Sequence, residues 1–118
     1  MQPRLEPDGV ASIFAALGDP TRLALLGMLS GGRERSITVL GEEARRSAGI
    51  AVSRQALTKH LAVLERSGLV AQRRIGRESR FRAKPETLDD ARAFLDRVSV
   101  QWDGALGRLK AFVEERDG

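Results

Sequence analysis

The stretch AVSRQALTKHLAVLERSGLV, residues 51–70, decides how the rest of the chain is read. Ser53 stands directly ahead of a run with helical spacing, so its hydroxyl oxygen can accept a free N–H of the first turn and start a helix there. Gly68 stops that helix after Ser67. In between, Ala56, Leu57, Leu61 and Leu64 share one side at helical spacing, while Arg54, Gln55, Thr58 and Lys59 share the other. A polar helix face is by itself most often a solvated one. The flanking segments change that reading. The turn SAGIAV (47–52) joins this helix to an earlier one, and LVAQRRIGRESRFRAK (69–84) follows it. Alternation around Gly76 makes the latter a two-stranded hairpin, Leu69 to Arg74 and Ser79 to Ala83, with a basic tip.

Upstream, Val10, Ile13, Phe14 and Leu17 repeat as one apolar helix stripe after a proline-containing leader, residues 1–9, expected to be flexible. Gly18 ends that helix. Asp19 and Pro20 begin the next as N-cap and first-turn proline, whose missing N–H costs nothing there. This second helix runs to about Ser30 with Leu23, Leu26 and Leu29 inward, and Gly31 and Gly32 end it. Ser36 to Thr38 reads as a short extended piece, with Thr38 capping a third helix through about Ser47. Downstream, Pro85 breaks the strand and Thr87 caps a last helix, whose first turn carries Asp89 and Asp90 where the helix dipole favours negative charge. Leu88, Ala91, Leu95, Val98, Trp102, Ala105, Leu109 and Phe112 then recur at intervals of three and four, a heptad-like seam. A helix over about 87–115 would span roughly 40 Å, more than a domain of this size needs. The expectation is a single domain over 10–118, mainly α with a small β-hairpin wing, its recognition helix at about 53–67 and its wing at about 69–84.

The chain has 118 residues, 42% hydrophobic and 31% charged, which suits one globular domain. It contains no cysteine, so disulfides, thiolate metal sites and cysteine nucleophiles are excluded. No apolar run approaches the roughly 20 residues of a membrane span, and no signal-peptide core precedes the first helix, so a cytoplasmic location is expected and no membrane partner. The net charge of +4 is unevenly placed: +7 within 53–84, zero within 1–52 and −3 within 85–118. A basic segment between neutral and acidic ones points to a polyanionic partner.

A helix-turn-helix followed by a hairpin wing reads duplex DNA by placing its second helix in the major groove, N-terminal residues leading. The side chains suit that task, because arginine can fork onto guanine, glutamine can pair with adenine, and Ser53 and Thr58 can reach bases or phosphates. Alternate residues of a hairpin share a face, so the wing arginines cannot all reach the duplex. Arg77, beside the tip glycine, is the best placed, followed by Arg74 and Arg80, while Arg73 and Arg82 are explained by a charged edge that resists aggregation. The DNA-contacting candidates are thus Thr38, Ser53, Arg54, Gln55, Thr58, Lys59, Arg74, Arg77 and Arg80. His60, the sole histidine, lies in the apolar stripe and reads as hydrogen-bonded packing. With no cysteine or tyrosine, no carboxylate at helical spacing facing His60, and no phosphate-loop or zinc-ligand motif, an enzyme is not expected. A second reading stays open here: a winged-helix dimer that binds a protein partner and no longer reads DNA.

FAALGDPTRLALLGML, VSRQALTKHLAVLERSGLV, RRIGRESRFR and QWDGALGRLKAFVEE together resemble the ArsR/SmtB family of winged helix-turn-helix repressors over about residues 10–115. The resemblance implies a homodimer joined through its first and last helices, bound to a pseudo-palindromic operator. The interface residues would be Ile13, Phe14, Leu17, Leu95, Val98, Trp102, Leu109 and Phe112, in agreement with the seam. By the same resemblance Arg22 matches an arginine at the start of the second helix, where a structural role outweighs a phosphate contact. Two departures stand out. The third helix has no cysteine and the last has carboxylates but no histidine, a poor transition-metal set, so the resemblance is to a non-metal-sensing branch with no cofactor or metal. GEEARRSAGIAV is also a few residues longer than the family's usual link, which leaves Arg45 and Arg46 open between a backbone-phosphate contact and simple solvation. A small-molecule effector near Phe94, Trp102 and Phe14 is conceivable, although interface packing explains those residues more simply.

Overall fold

The computed structural model describes residues 7–117. In chain order it contains α1 (Pro7–Leu17), α2 (Pro20–Met28), β1 (Arg35–Ser36), α3 (Ile37–Ala48), α4 (Arg54–Arg66), β2 (Val70–Ile75), β3 (Glu78–Ala83) and α5 (Pro85–Asp117). The leader expected over 1–9 is shortened, because residues 7–9 already belong to α1, and residues 1–6 lie outside the described residues.

The helix starts are set by side chains that satisfy first-turn N–H groups. Asp19 caps α2, its Oδ2 accepting from the Arg22 backbone N–H at 3.0 Å, and Pro20 follows as expected. That bond is the main reason the Asp19 carboxyl lies below its ordinary pKa. Ser53 caps α4 by accepting from the Ala56 N–H at 3.1 Å. Ser53→Ala should therefore cost about 1 kcal/mol of stability and Ser53→Gly only a few tenths, as chemical denaturation would read. At α3 the cap is Ser36 rather than Thr38. Ser36 ends β1 in an extended conformation with its hydroxyl accepting from Val39 N–H at 3.2 Å, which leaves Thr38 inside the first turn. At α5 Thr87 is likewise not the cap. Proline's fixed φ starts the helix at Pro85, and Thr87 is fully buried, donating its hydroxyl to the Gly68 carbonyl at 2.5 Å.

The expected two-stranded hairpin is the larger part of a three-stranded antiparallel sheet of order β1-β3-β2. Its tip is the two-residue loop Gly76–Arg77 between the paired Ile75 and Glu78, with Gly76 at φ 62°. Glycine at the first loop position, followed by a residue of negative φ, matches a II′ turn, whose twist suits the strands it joins.

The core gathers α1 to α4 and the base of the sheet: Ile13, Leu25, Leu29, Leu40, Leu61, Leu64, Leu69 and Val70 are each no more than 1% exposed. Leu23 does not join it. It is 53% exposed, because Leu25, Leu26 and Leu29 carry the burial of this helix and its C-cap, and Leu23, one turn before Leu26, lies at the solvent edge of that face. Ile13 also departs from expectation, since it is spent inside this core and cannot serve an interface between chains.

α5 leaves the domain. Thr87 and Ala91 are buried and Phe94 packs at 5.9 Å, tilted, on Phe14 of α1, yet every residue from Ser99 to Arg116 is exposed. The radius of gyration is 19.0 Å, against about 13–14 Å for a compact domain of this length. No single helix among the described residues is long and apolar enough to cross a membrane.

Candidate nucleic-acid interface

α3 and α4 form the helix pair. Gly49 ends α3 in the left-handed region at φ 64°, and the Ile50 N–H bonds back to the Ala44 carbonyl at 3.0 Å, turning the chain toward Ser53. Leu57, Leu61 and Leu64 then anchor α4 to the core, which leaves Arg54, Gln55, Thr58 and Lys59 exposed on its outer side. Gly41 of α3 allows close packing here, since a Cβ added to it would stand 3.3 Å from Leu57 Cδ2.

The polar face of α4 is partly organised by its own hydrogen bonds. Arg54 Nη1 donates to Thr38 Oγ1 at 3.2 Å, and the Thr58 hydroxyl donates to the Arg54 carbonyl at 2.8 Å. Both threonine oxygens keep lone pairs free to accept. Gln55 and Lys59 extend into solvent beside them.

The wing stands next to this face. A hollow between α4 and the sheet is lined by Arg54, Thr58, Ala62 and Glu65 on the helix side and by Gln72, Arg77, Ser79 and Phe81 on the wing side. Arg77 therefore shares a space with the polar face of α4. The strand register puts Arg74 opposite Ser79 and Gln72 opposite Phe81, so Arg74 belongs to the same face of the sheet. Arg80 does not. It pairs with Arg73 across the ladder on the other face, and its guanidinium stands 3.6 Å from Glu78 Oε2. Arg73 forks onto Glu34 at 2.9 and 2.6 Å, a bidentate pair that holds the Glu34 carboxyl below and the Arg73 guanidinium above their ordinary pKa values. The pair joins the wing to the segment leading into β1, so Arg73 has a structural partner in addition to any edge-protecting role.

Gln72, Ser79 and Glu65 were not among the residues picked from the sequence. Gln72 Nε2 donates to Ser79 Oγ at 3.0 Å within the hollow. Period-two counting from Arg74 leads to Gln72, and Ser79 follows only once the pairing register is known.

Arg22 and His60 form a tie behind the interface. Arg22 Nε donates to the Ala16 carbonyl at 2.6 Å, and Nη2 reaches the Ala15 carbonyl at 3.4 Å, closing the end of α1. Nη1 lies 3.2 Å from His60 Nδ1, with Asp19 Oδ2 3.8 Å from the same nitrogen. The imidazole edge faces both the Arg22 guanidinium and the Asp19 carboxylate. His60 and Arg22 thus join α1, α2 and α4.

A helix-turn-helix domain family model matches residues 17–73 of this chain. An uncharacterized HTH-type transcriptional regulator of Bacillus subtilis, YuzN, is 41% identical over 66 residues, covering 56% of this chain and 72% of that protein. Among solved structures, an ArsR-like transcriptional regulator from Rhodococcus superposes with a TM-score of 0.70 at 36% identity, covering 89% of this chain and 92% of that one. A homodimeric winged helix-turn-helix DNA-binding domain from Mycobacterium bovis, a possible ArsR-family regulator, gives a TM-score of 0.57 at 30% identity, covering 90% and 91%. The matches extend through the helix pair, the wing and most of the flanking helices, and this chain belongs to the ArsR family of winged helix-turn-helix transcriptional regulators.

Proposed function

We propose that the chain acts as a cytoplasmic homodimeric repressor without a catalytic step. Each recognition helix enters a major groove of a pseudo-palindromic operator, and each wing rests on the adjacent backbone or minor groove. The observation that carries this reading is the shared hollow of Arg54, Thr58 and Arg77, which sets base-reading and backbone-gripping side chains side by side. Ser53, Gln55, Lys59 and Thr38 complete the reading surface, with Arg74 as a second wing contact. Arg80, on the opposite face of the sheet, becomes a wing-stabilising residue in this reading. Occupying the operator blocks access of the transcription machinery to the same DNA.

Dimerisation is supported by α5. Its apolar stripe is buried against the domain at Thr87 and Ala91, and it continues along the same side of the helix as Trp102, Leu109 and Phe112, all more than half exposed. Val98 and Leu95 bridge the two parts, while Phe14 and Leu17 border the stripe from α1. A second copy of this chain covers that surface in the dimer.

Selection of bound duplexes from the source genome, followed by affinity measurements across a salt series, tests the reading. Two half-sites about one helical turn apart are expected, with affinity falling steeply as salt rises. Arg54→Ala and Gln55→Ala should relax sequence preference at one position each, at about 1–3 kcal/mol. Arg77→Ala should weaken all duplexes alike and flatten the salt slope by about one unit per protomer. A chain that binds every duplex equally at moderate salt would refute specific regulation.

A further inference from the structure

The turn between α3 and α4 is apolar at a place where the surface is otherwise charged. Ile50 and Val52, with Ile37 and Leu57 behind them, floor a hollow of about 250 Å³ distinct from the one beneath the wing. Its rim carries Thr38, Glu42, Arg45 and Arg54. Thr38, Glu42 and Arg45 recur at helical spacing, so one face of α3 lines the hollow, and Arg46, at the edge of that face, is not part of the lining. Arg45 is exposed and pairs with no acid among the described residues, whereas Arg35, Arg73 and Arg80 each have a glutamate partner. Arg54 and Thr38 belong both to this rim and to the reading face, where they are hydrogen-bonded to each other.

We propose that this hollow is a further DNA contact, in which one strand of the duplex rests its deoxyribose on the apolar floor and its phosphate against Arg45. The inference rests on the DNA-reading function proposed above. Two features select the occupant. The rim has two guanidiniums against one carboxylate, which favours an anion. The hollow is also continuous with the recognition helix, beside which a groove-bound duplex must carry its backbone. Aliphatic side chains suit the C–H faces of a sugar, which hydrogen-bonding groups would not serve. Glu42 opposes the phosphate and weakens the contact. Arg46, one position along the helix, plays no part in it.

The experiment compares wild type with Arg45→Ala, Arg45→Lys, Arg46→Ala and Glu42→Gln, each measured on the selected operator and on a scrambled duplex of equal length over a salt series. Arg45→Ala should weaken both duplexes by about eightfold per protomer near 0.1 M salt, and flatten the log–log slope by about 0.9 per protomer, the signature of one lost phosphate contact. Arg45→Lys should retain the slope, Arg46→Ala should behave as wild type, and Glu42→Gln should tighten both duplexes. The proposal is overturned if Arg45→Ala keeps the wild-type affinity and slope, or if Arg46→Ala loses as much, since net charge would then explain both. A wild-type chain with no preference between operator and scrambled duplex would instead overturn the DNA-reading function itself, and the backbone contact with it.

Discussion

Leu64→Ala is expected to lower the unfolding free energy by about 3–5 kcal/mol, a large part of the roughly 5–15 kcal/mol that a domain commands. Leu64 is 0% exposed on α4, in the core cluster with Leu25, Leu29, Leu61 and Leu69. Removing its methyl groups loses their transfer free energy and leaves a cavity that helices capped at Asp19, Ser36 and Ser53 cannot readily close. Because the same residue anchors the recognition helix, operator binding should fall together with stability. The contrast is Leu23→Ala. Leu23 is 53% exposed, so truncation there should change stability by no more than about 0.5 kcal/mol. Urea unfolding of both variants at one fixed protein concentration separates them, because any contribution of dimerisation then enters equally. Equal losses at the two positions would contradict the packing of α2 described above.

The second large effect lies at the other end of the molecule. The double variant Trp102→Asp with Leu109→Asp should yield a folded monomer whose operator affinity is reduced at least about 100-fold. Trp102 and Leu109 are 63% and 59% exposed, on a part of α5 where every residue from Ser99 to Arg116 is exposed and none belongs to the core, so helical content and core stability should persist. Their apolar area is lost from the proposed seam, and two carboxylates per chain would have to be buried unpaired for the dimer to form. Each recognition helix would then engage its half-site alone. Linking two half-site contacts ordinarily multiplies affinity by 10²- to 10⁴-fold, and that factor disappears. Sedimentation or light scattering, beside an operator titration, gives both readouts. Persistence of the dimer in this variant would show that α5 is not the seam.

Much of the fold can be read along the chain because its signals are local. Asp19-Pro20, Ser53 and Gly76 each act within a few residues of themselves, and the structure uses all three where local chemistry puts them. The misplaced caps have a common cause. Thr38 and Thr87 are acceptable cap residues in isolation, but β1 delivers the chain to α3 two residues earlier, through Ser36, and Thr87 is drawn inward by the Gly68 carbonyl. Both outcomes depend on partners distant in sequence. Leu23 and Ile13 illustrate the same limit for packing: periodicity identifies an apolar stripe, but which edge of it meets the core depends on how α2 and α1 lie against α4.

The candidate site divides in the same way. Periodicity alone separates Arg54, Gln55, Thr58 and Lys59 from Leu57, Leu61 and Leu64, since a helix fixes which residues share a side. The sequence by itself therefore determined the helix-turn-helix with its hairpin wing, the division of α4 into a polar and an apolar face, and the long apolar stripe of the last helix. Only the tertiary structure decided which wing arginines stand beside that face, because Arg74 and Arg80 are separated by strand register, and register is a relation between strands. The third strand and the Arg73–Glu34 fork needed it too, as did the tie from Arg22 to His60 and the hollow beside Arg45. Each of these is made by residues from different elements. Local rules place a side chain on a helix or strand, and only packing brings two such surfaces together.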